Sequence, residues 1–198
     1  PHFLYNTLYL IGLKGGEQGA PEILDMCSYL TRMMAYCVDN REDMVPFSSE
    51  VGYMNNYLQL MKYRYMEKLQ YTVEIQDAVL NQMVPKFILQ PLIENSIYHG
   101  IKEMRGKGII RIKGWKEKNK VFIQVSDNGL GIPEEKLEEL FSKDYREKGS
   151  AFGLFNIQQR LQIYFGKEYG LTVESKLSQG TKATVCIPVD FKREEDRK

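Results

Sequence analysis

Residues 85–100 read PKFILQPLIENSIYHG, and residues 127–131 read DNGLG. The first stretch predicts a helix that projects Asn95 and His99 from one face, because residues four apart are neighbours on a helix. The second stretch predicts a turn made by glycines, which lets a flat ligand lie against the backbone. An amide oxygen suited to a hard cation, with an acid beside such a turn, predicts a pocket for a magnesium-bound nucleotide.

Composition and charge exclude several classes of protein. With 198 residues the chain can form one large domain or two small ones, and its net charge of +1 gives no electrostatic reason to expect nucleic acid as a partner. No apolar run approaches the ~20 residues that a membrane span needs, and the first residues do not begin a signal peptide. Because the chain also lacks an initiator methionine, we expect it to be a piece of a longer protein. The three cysteines form no CxxC pair and predict reduced thiols packed in a core: Cys27, Cys37 and Cys186.

The first third of the chain predicts helices. They are expected over residues 1–13, 22–38 and about 48–66, with a break at 15–21 and an N-cap at Ser48 or Ser49. Apolar residues recur at a spacing of three and four, which is typical of helices that pack against each other within one chain or across a dimer. His2 and Asn6 share one face of the first helix, one turn apart. A nucleotide pocket elsewhere in the chain makes His2 a candidate substrate.

The remainder of the chain predicts an α/β fold. Strands are expected over 69–75, 109–115, 121–126, 171–175 and 181–189, the last four as two hairpins. Helices are expected around Asn95 and over 134–141 and 153–165, and 142–152 is expected to be a loop. We therefore divide the chain into a helical region (1–67), a ligand-binding domain (68–191) and a charged, frayed tail (192–198).

Three groups of residues are candidates for binding a nucleotide. Asn95 could ligate Mg²⁺, although a lone Asn on a helix is more often solvated, and a core histidine is the plain alternative for His99. Asp127 could accept a hydrogen bond from an exocyclic amine such as that of adenine, with Gly129 and Gly131 letting the base approach; the plain alternative is a surface turn.

The third group surrounds the predicted start of the helix at 153–165. A helix N-terminus presents free N–H groups and partial positive charge, which suit phosphate oxygens. Gly153 and Asn156 lie there, and Lys148 in the preceding stretch could close over a triphosphate, although isolated basic loops are usually only solvated. Thr181, at the start of the last strand, is a weak candidate by itself.

In this order the motifs resemble the histidine kinases of two-component signalling, in particular the LytS/YesM-like subfamily. Residues 1–8 (PHFLYNTL) resemble the phospho-acceptor motif, and residues 90–100 resemble the N-box. The DNGLG turn resembles the G1 box, and residues 153–156 (GLFN) resemble the G2 box. Gly180-Thr181 matches the last nucleotide-binding turn. The resemblance covers essentially the whole chain.

The resemblance implies an α+β fold: an N-terminal helical dimerisation and phosphotransfer region, followed by a Bergerat-type (GHKL) α/β sandwich that binds ATP. It implies that His2 attacks the γ-phosphorus of Mg-ATP and that Asn95 holds Mg²⁺. Asn6 would orient the imidazole or a nearby water, and Glu94 would act as a base or an orienting acceptor. Residues expected to bind the nucleotide are Asn95, His99, Asp127, Gly129, Gly131, Lys148, Gly153, Leu154, Asn156 and Thr181.

The same resemblance implies partners and a location. The phosphoryl group would pass to an aspartate on a response-regulator receiver domain, and the protein would be a homodimer. We expect the chain to be the cytoplasmic portion of a bacterial inner-membrane sensor, attached to the membrane only through upstream segments.

Two rival functions remain open at this point. An ATP-gated dimeric scaffold without autokinase activity is suggested by Ala151, which stands where the family's G2 box usually has a glycine. An ATPase of the gyrase, MutL or Hsp90 type would need a glutamate base four residues before the metal-binding asparagine, and that position is Pro91.

Overall fold

The computed structural model describes residues 2–39, 42–140 and 152–189. The helices are α1 (His2–Glu17), α2 (Pro21–Asp39), α3 (Phe47–Tyr65), α4 (Asp77–Leu80), α5 (Leu89–Asn95), α6 (Glu134–Glu139) and α7 (Phe152–Phe165). The strands are β1 (Met44–Pro46), β2 (Leu69–Ile75), β3 (Met83–Pro85), β4 (Gly108–Glu117), β5 (Lys120–Asp127), β6 (Gly170–Lys176) and β7 (Gly180–Pro188). A 3₁₀ turn (Met66–Lys68) follows α3, and a π-helical turn (Ser96–Ile101) continues α5.

Helices α1 and α2 form a hairpin that closes on two glycines. A Cβ atom on Gly12 would lie 2.9 Å from the Leu24 side chain, and one on Gly15 would lie 2.6 Å from Ile23. Close approach of the helices therefore requires the glycines. The expected break at 15–21 is wrong for its first residues, because α1 runs to Glu17 before a turn at Gly19 with φ of 80°.

The main sheet has five strands in the order β2-β4-β5-β7-β6. Both predicted hairpins, β4–β5 and β6–β7, are confirmed, and β5 also pairs antiparallel with β7. Along β5 buried residues alternate with half-buried ones, so one face of the sheet is covered. The parallel pairing of β2 with β4, which sets Leu69 opposite Gly108, was not predicted.

The core lies between the covered face of the sheet and three helices. Ile110, Ile123 and Val185 of the sheet belong to the same buried cluster as side chains of α3, α5 and α7. Phe47 and Leu58 of α3 are fully buried there. Helix α3 thus packs against the sheet domain as well as against α2, and the predicted boundary after residue 67 stays a prediction.

A second, two-stranded sheet was not predicted. Strands β1 and β3 pair antiparallel, with Val45 opposite Val84. The expected N-cap at Ser48 or Ser49 is wrong, because α3 begins at Phe47 and its start has no side-chain cap. Instead, the Phe47 N–H donates to the Gln82 carbonyl at 2.8 Å, so a neighbouring segment satisfies the first helical amide.

Further predictions concern the cysteines, the loop, the tail and membrane spans. Cys27 is buried as expected, but Cys37 is exposed and Cys186 only half-buried. The expected loop at 142–152 lies outside the described residues except for Phe152, which begins α7, and the 192–198 tail lies outside them entirely. Within the described ranges, no helix combines the length and apolar character needed to cross a membrane.

Candidate functional site

A cavity of about 280 Å³ opens between α5 with its π turn, the loop after β5, and the start of β7. Its apolar wall includes Leu92, Val125 and Ile132. A concave, mostly apolar site with a few polar groups is typical of small-molecule pockets. Six residues predicted from sequence line it: Asn95, His99, Asp127, Gly131, Leu154 and Thr181.

Asp127 is the buried acid of this cavity. It ends β5 and is only 8% exposed. Its Oδ1 accepts from the N–H of Gly129 at 2.8 Å and from the N–H of Thr181 at 3.3 Å. Burial raises the pKa of Asp127 above its ordinary value, while hydrogen bonds from Gly129, Ser96 and Thr181 partly oppose that rise. A fixed, buried acceptor in a cavity wall favours a ligand that brings an N–H donor.

The glycines around Asp127 are required for a different reason than the one expected. A Cβ atom on Gly129 would lie 2.4 Å from the Gly100 Cα atom, so Gly129 packs against the π turn instead of facing a ligand. Gly131 and Gly180 have φ of 70° and 89°, and Cβ atoms there would lie 2.1 Å and 2.0 Å from backbone carbonyl oxygens. These glycines allow three backbone segments to meet around one carboxylate.

Asn128, which was not singled out from the sequence, fixes the turn to β4. Its Oδ1 accepts from the Ile109 N–H at 2.6 Å, and its Nδ2 donates to the Lys107 carbonyl at 3.0 Å. An Asn beside a glycine is a turn signal, but its partners lie about twenty positions earlier in the chain and the local pattern does not identify them.

Asn95 and His99 reach the same cavity, as their spacing predicted. Asn95 is the last residue of α5, and His99 lies in the π turn that follows. A π turn admits one extra residue per turn and is frequent at functional sites. Ser96, between them, is 6% exposed and also lines the cavity, although it was not predicted.

Glu94 precedes Asn95 in α5, and its expected role as a base or an orienting acceptor stays a prediction. It accepts a hydrogen bond from Gln90 Nε2 at 2.9 Å within α5. Burial, with Glu94 as a further contributor, raises the pKa of both Tyr53 and Tyr57 on α3, which places the Glu94 charge near that helix. Among the described residues that line the cavity, Glu94 is absent.

The start of α7 contributes one of its three expected residues to the cavity. Leu154 lines the cavity, whereas Gly153 faces Pro91, with a Cβ position 3.2 Å from the proline side chain. Asn156 is half-buried and is not among the described lining residues. The predicted Lys148, like Ala151, lies outside the described residues.

Lys136 is a lining residue that sequence reasoning missed. It lies on α6, within a run of charged residues that reads as a solvated face. Its position after the G1 turn was the available signal. The ammonium group gives the cavity a cation suited to an anionic ligand.

His2 and Asn6 lie apart from the cavity, on the exposed first turns of α1. Asn6 Nδ2 is 3.3 Å from His2 Nδ1, so the predicted contact across one helical turn is present. Of the described residues around the cavity, neither belongs to its lining. The structure thus separates an exposed histidine from a built pocket.

Two known protein families match this chain, one in each part of it. Residues 82–190 match the family described as histidine kinase-, DNA gyrase B- and HSP90-like ATPases, and residues 1–69 match the family described as histidine kinases. The first match covers more than half of the sequence, and the chain belongs to that ATPase family.

Curated relatives align with this chain over nearly its full length. Sensor histidine kinase YesM of Bacillus subtilis is 33% identical over 188 residues, which cover 95% of this chain and 31% of the relative. Sensor protein LytS of Bacillus cereus is 31% identical over 198 residues, which cover 98% of this chain and 33% of the relative. The resemblance to the LytS/YesM-like subfamily is thereby confirmed. The chain spans about a third of the length of these relatives.

A solved structure supports the fold. The histidine kinase domain of the blue-light activated kinase of Erythrobacter litoralis matches with a TM-score of 0.53 and 14% identity, over 93% of this chain and 83% of that one. The α+β fold class, with helices and a Bergerat-type sandwich, is confirmed.

Proposed function

We propose that the chain is the kinase core of a sensor histidine kinase, which transfers the γ-phosphoryl group of ATP to His2 and then to an aspartate of a response regulator. The observation that carries the proposal is the cavity in which the buried Asp127 meets Asn95 and Thr181, in a chain that also presents an exposed histidine on its first helix. The family matches at both ends of the chain support the pairing of these two features.

Within the cavity we assign Asp127 to the exocyclic amine of adenine and the apolar wall to its ring. The Thr181 N–H and the Ser96 hydroxyl hold the carboxylate in place for that contact. Lys136 and the start of α7 face the phosphates. Such preorganised positions supply most of the protein's contribution to phosphoryl transfer, because the reaction needs positioning and charge neutralisation more than covalent help.

Magnesium suits the donor set. Asn95 offers one amide oxygen at the cavity, and the described residues contain no cluster of three or more His, Cys, Asp or Glu side chains that could hold a metal. Mg²⁺ commonly takes one or two protein oxygens and completes its shell with phosphates and water. When bound, the ion would neutralise phosphate charge.

For the transfer, one imidazole nitrogen of His2 forms a bond to the γ-phosphorus while the bond from phosphorus to the β,γ-bridging oxygen breaks and ADP leaves. The attacking nitrogen is the one that carries no proton in the neutral imidazole, and the proton on the other ring nitrogen is afterwards released to water. Asn6, whose Nδ2 lies 3.3 Å from His2 Nδ1, orients the ring. Because His2 is not among the described residues of the cavity, the helical region must bring it to a nucleotide in the same chain or in a second copy.

The partners follow from this chemistry. We propose a homodimer through α1 and α2, where Phe3, Tyr9 and Leu10 are 78%, 60% and 59% exposed. A receiver-domain aspartate takes the phosphoryl group from the exposed His2. We place this part of the protein in the cytoplasm, where ATP and receiver domains are found.

The test is transfer of label from γ-labelled Mg-ATP to the purified chain, in parallel with His2→Gln and His99→Gln. We expect acid-labile, base-stable label on the wild type and on His99→Gln at saturating ATP, and none on His2→Gln. Since the sequence has two histidines, label on His2→Gln but not on His99→Gln would move the acceptor to the cavity. Nucleotide binding without any label would instead favour a scaffold.

A further inference from the structure

A buried carboxylate joins the helical hairpin to the segment that leads into α5. Glu50, on α3, is 1% exposed. Its Oε1 accepts from the Phe87 N–H at 2.6 Å, and its Oε2 accepts from the Leu89 N–H at 3.1 Å. The hydroxyl of Tyr36, on α2, donates to Oε1 as well.

These three hydrogen bonds offset the cost of burying the Glu50 carboxylate. A carboxylate in the core is strongly destabilising unless its oxygens accept hydrogen bonds, and bonds to a charged acceptor are stronger than neutral ones. The Leu89 N–H belongs to the first residue of α5 and has no partner within the helix. Phe87 has φ of 61°, which is unfavourable for a residue with a side chain. Glu50 therefore holds a strained segment in one conformation.

Ring contacts bind the same segment to α2. The rings of Tyr36, Tyr53 and Phe87 lie 5.0 to 5.5 Å apart, and the Lys86 ammonium lies 4.8 Å from the Tyr36 ring centre and 5.1 Å from that of Phe87. We call this group, with Glu50, the Glu50 junction. Burial, followed by the charge of Glu50, raises the pKa of the Tyr36 hydroxyl above its usual range, so it remains a donor.

The Glu50 junction is connected to two elements that line the cavity, α5 and α7. Residues 86–89 run directly into α5, which carries Asn95. The Lys86 carbonyl accepts from Arg160 Nη1 at 2.7 Å, and Arg160 lies on α7, whose first turn places Leu154 in the cavity wall. One short segment thus contacts α2, α3 and α7 and begins α5.

We propose that Glu50 and Tyr36 are positioning residues that couple the placement of α2 to the affinity of the cavity for magnesium-bound nucleotide. A displacement of α2 removes the Tyr36 hydroxyl from Glu50, which loosens residues 86–89 and with them the helix that carries Asn95. The coupling rests on the proposed function, because it acts on nucleotide binding. By linkage it is reciprocal, so nucleotide in the cavity stabilises the position of α2.

The test uses Tyr36→Phe, which keeps the ring contacts and removes only the hydroxyl. Tyr63→Phe is the matched control: its hydroxyl donates to Asp25 Oδ2 at 3.4 Å, also between α3 and α2, but in a different contact. Without nucleotide, we expect Tyr36→Phe to speed amide hydrogen exchange at Phe87 and Leu89 by roughly tenfold, as loss of a bond to a charged group predicts. Tyr63→Phe should leave these amides unchanged.

The second measurement is the affinity of the chain for Mg-ADP, with exchange in α2 followed at the same time. We expect Tyr36→Phe to weaken binding about three- to tenfold and Glu50→Gln to weaken it further. In the wild type and in Tyr63→Phe, Mg-ADP should slow exchange around Tyr36, and in Tyr36→Phe it should not. A role in stability alone would lower the melting temperature of Tyr36→Phe but leave this ligand-dependent protection in place.

The outcomes separate the two proposals. Protection of α2 by Mg-ADP that persists in Tyr36→Phe would overturn the coupling while leaving nucleotide binding intact. If the wild type bound no Mg-ADP, the proposed function would fail, and unchanged exchange at Phe87 and Leu89 in Tyr36→Phe would separately refute the positioning role. Because Tyr36→Phe is conservative, the test does not depend on Glu50→Gln being folded.

Discussion

The α1–α2 hairpin and the sandwich formed by residues 44–140 and 152–189 differ in how they bury apolar side chains. In the sandwich, side chains such as Phe47, Ile123 and Leu161 are fully buried in one continuous cluster. In the hairpin, the buried positions are Gly12, Gly15 and Cys27, while large apolar side chains such as Phe3 and Leu10 are mostly exposed. The sandwich has its own core, and the hairpin does not.

The difference shows where each region finds its stability. A hairpin of two helices with an exposed apolar face is marginal by itself, because most helical stability in proteins comes from packing. We infer that the hairpin gains stability from a second copy and from the Glu50 junction. Substitutions in the sandwich should therefore act on folding and ligand binding, and those in the hairpin on association and phosphotransfer.

The largest expected effect comes from comparing a glycine-to-alanine substitution in the sandwich with one in the hairpin. Gly129→Ala places a Cβ atom 2.4 Å from the Gly100 Cα atom and 2.6 Å from its carbonyl oxygen, and should cost about 3 kcal/mol of unfolding free energy. Gly16→Ala, in α1, adds a Cβ that meets no described atom within 4 Å apart from its neighbours and the backbone of its own helix, and should stabilise α1 by about 0.5–1 kcal/mol. Urea unfolding followed by circular dichroism measures both. Equal effects of the two substitutions would remove the contrast.

The next effect concerns the ligand. Asp127→Asn should weaken ATP binding about tenfold to a hundredfold, because a hydrogen bond to a charged acceptor contributes about 1.5–3 kcal/mol. Inosine triphosphate, which has a carbonyl oxygen in place of the exocyclic amine, is the matched ligand. We expect the wild type to prefer ATP and the variant to lose that preference in titration calorimetry.

An unchanged ratio of the ATP and inosine triphosphate affinities in Asp127→Asn would show that Asp127 does not accept a hydrogen bond from the amine. In that case its carboxylate would serve only to hold the turn through the N–H groups of Gly129 and Thr181.

A smaller effect tests the hairpin's partner. Leu10→Glu introduces a charge on the exposed face of α1 and should raise the dimer dissociation constant about tenfold, since burying a leucine contributes about 1.5–3 kcal/mol. Ile163→Glu is the control, because Ile163 is a 79% exposed apolar residue on α7 of the sandwich. Sedimentation equilibrium should show weaker association for Leu10→Glu alone. Equal weakening by both would place the interface elsewhere.

The features predicted correctly from the sequence are those that a local pattern of residues determines. Strand periodicity located both hairpins, and the turn chemistry of the DNGLG stretch marked Asp127 as a candidate, because period and glycine content act within a few residues. Helical spacing brought Asn95 and His99 to one cavity. The resemblance to a family supplied the order of the motifs and with it the overall fold.

What the sequence did not predict depends on distant partners. The pairing of Leu69 with Gly108 and the three-residue strands β1 and β3 carry too little local pattern. Glu50 was not singled out from the sequence, because its partners are the backbone N–H groups of Phe87 and Leu89, 37 and 39 positions further along the chain. Gly129 was predicted to let a base approach the backbone, but it packs against Gly100.

The smallest effect is a dependence on pH that belongs to the sandwich. Burial raises the pKa of Asp127, so in the folded state its carboxyl keeps a proton at pH values where the unfolded chain has lost it. The folded state then binds more protons, and stability falls as pH rises from the ordinary aspartate value of about 3.9 through the folded pKa. Asp127→Asn lacks this proton, so its stability relative to wild type should improve over the same range.

Nucleotide affinity should change in the opposite direction over that range. The ionised carboxylate is an acceptor for the adenine amine, so ATP binding strengthens as pH rises through the folded pKa of Asp127 while the free protein loses stability. Urea midpoints and ATP titrations of wild type and Asp127→Asn across this range measure both slopes. Parallel stability curves for the two proteins would mean that Asp127 titrates as it does in the unfolded chain. Its burial would then be too slight to explain selection of a ligand by hydrogen bonding.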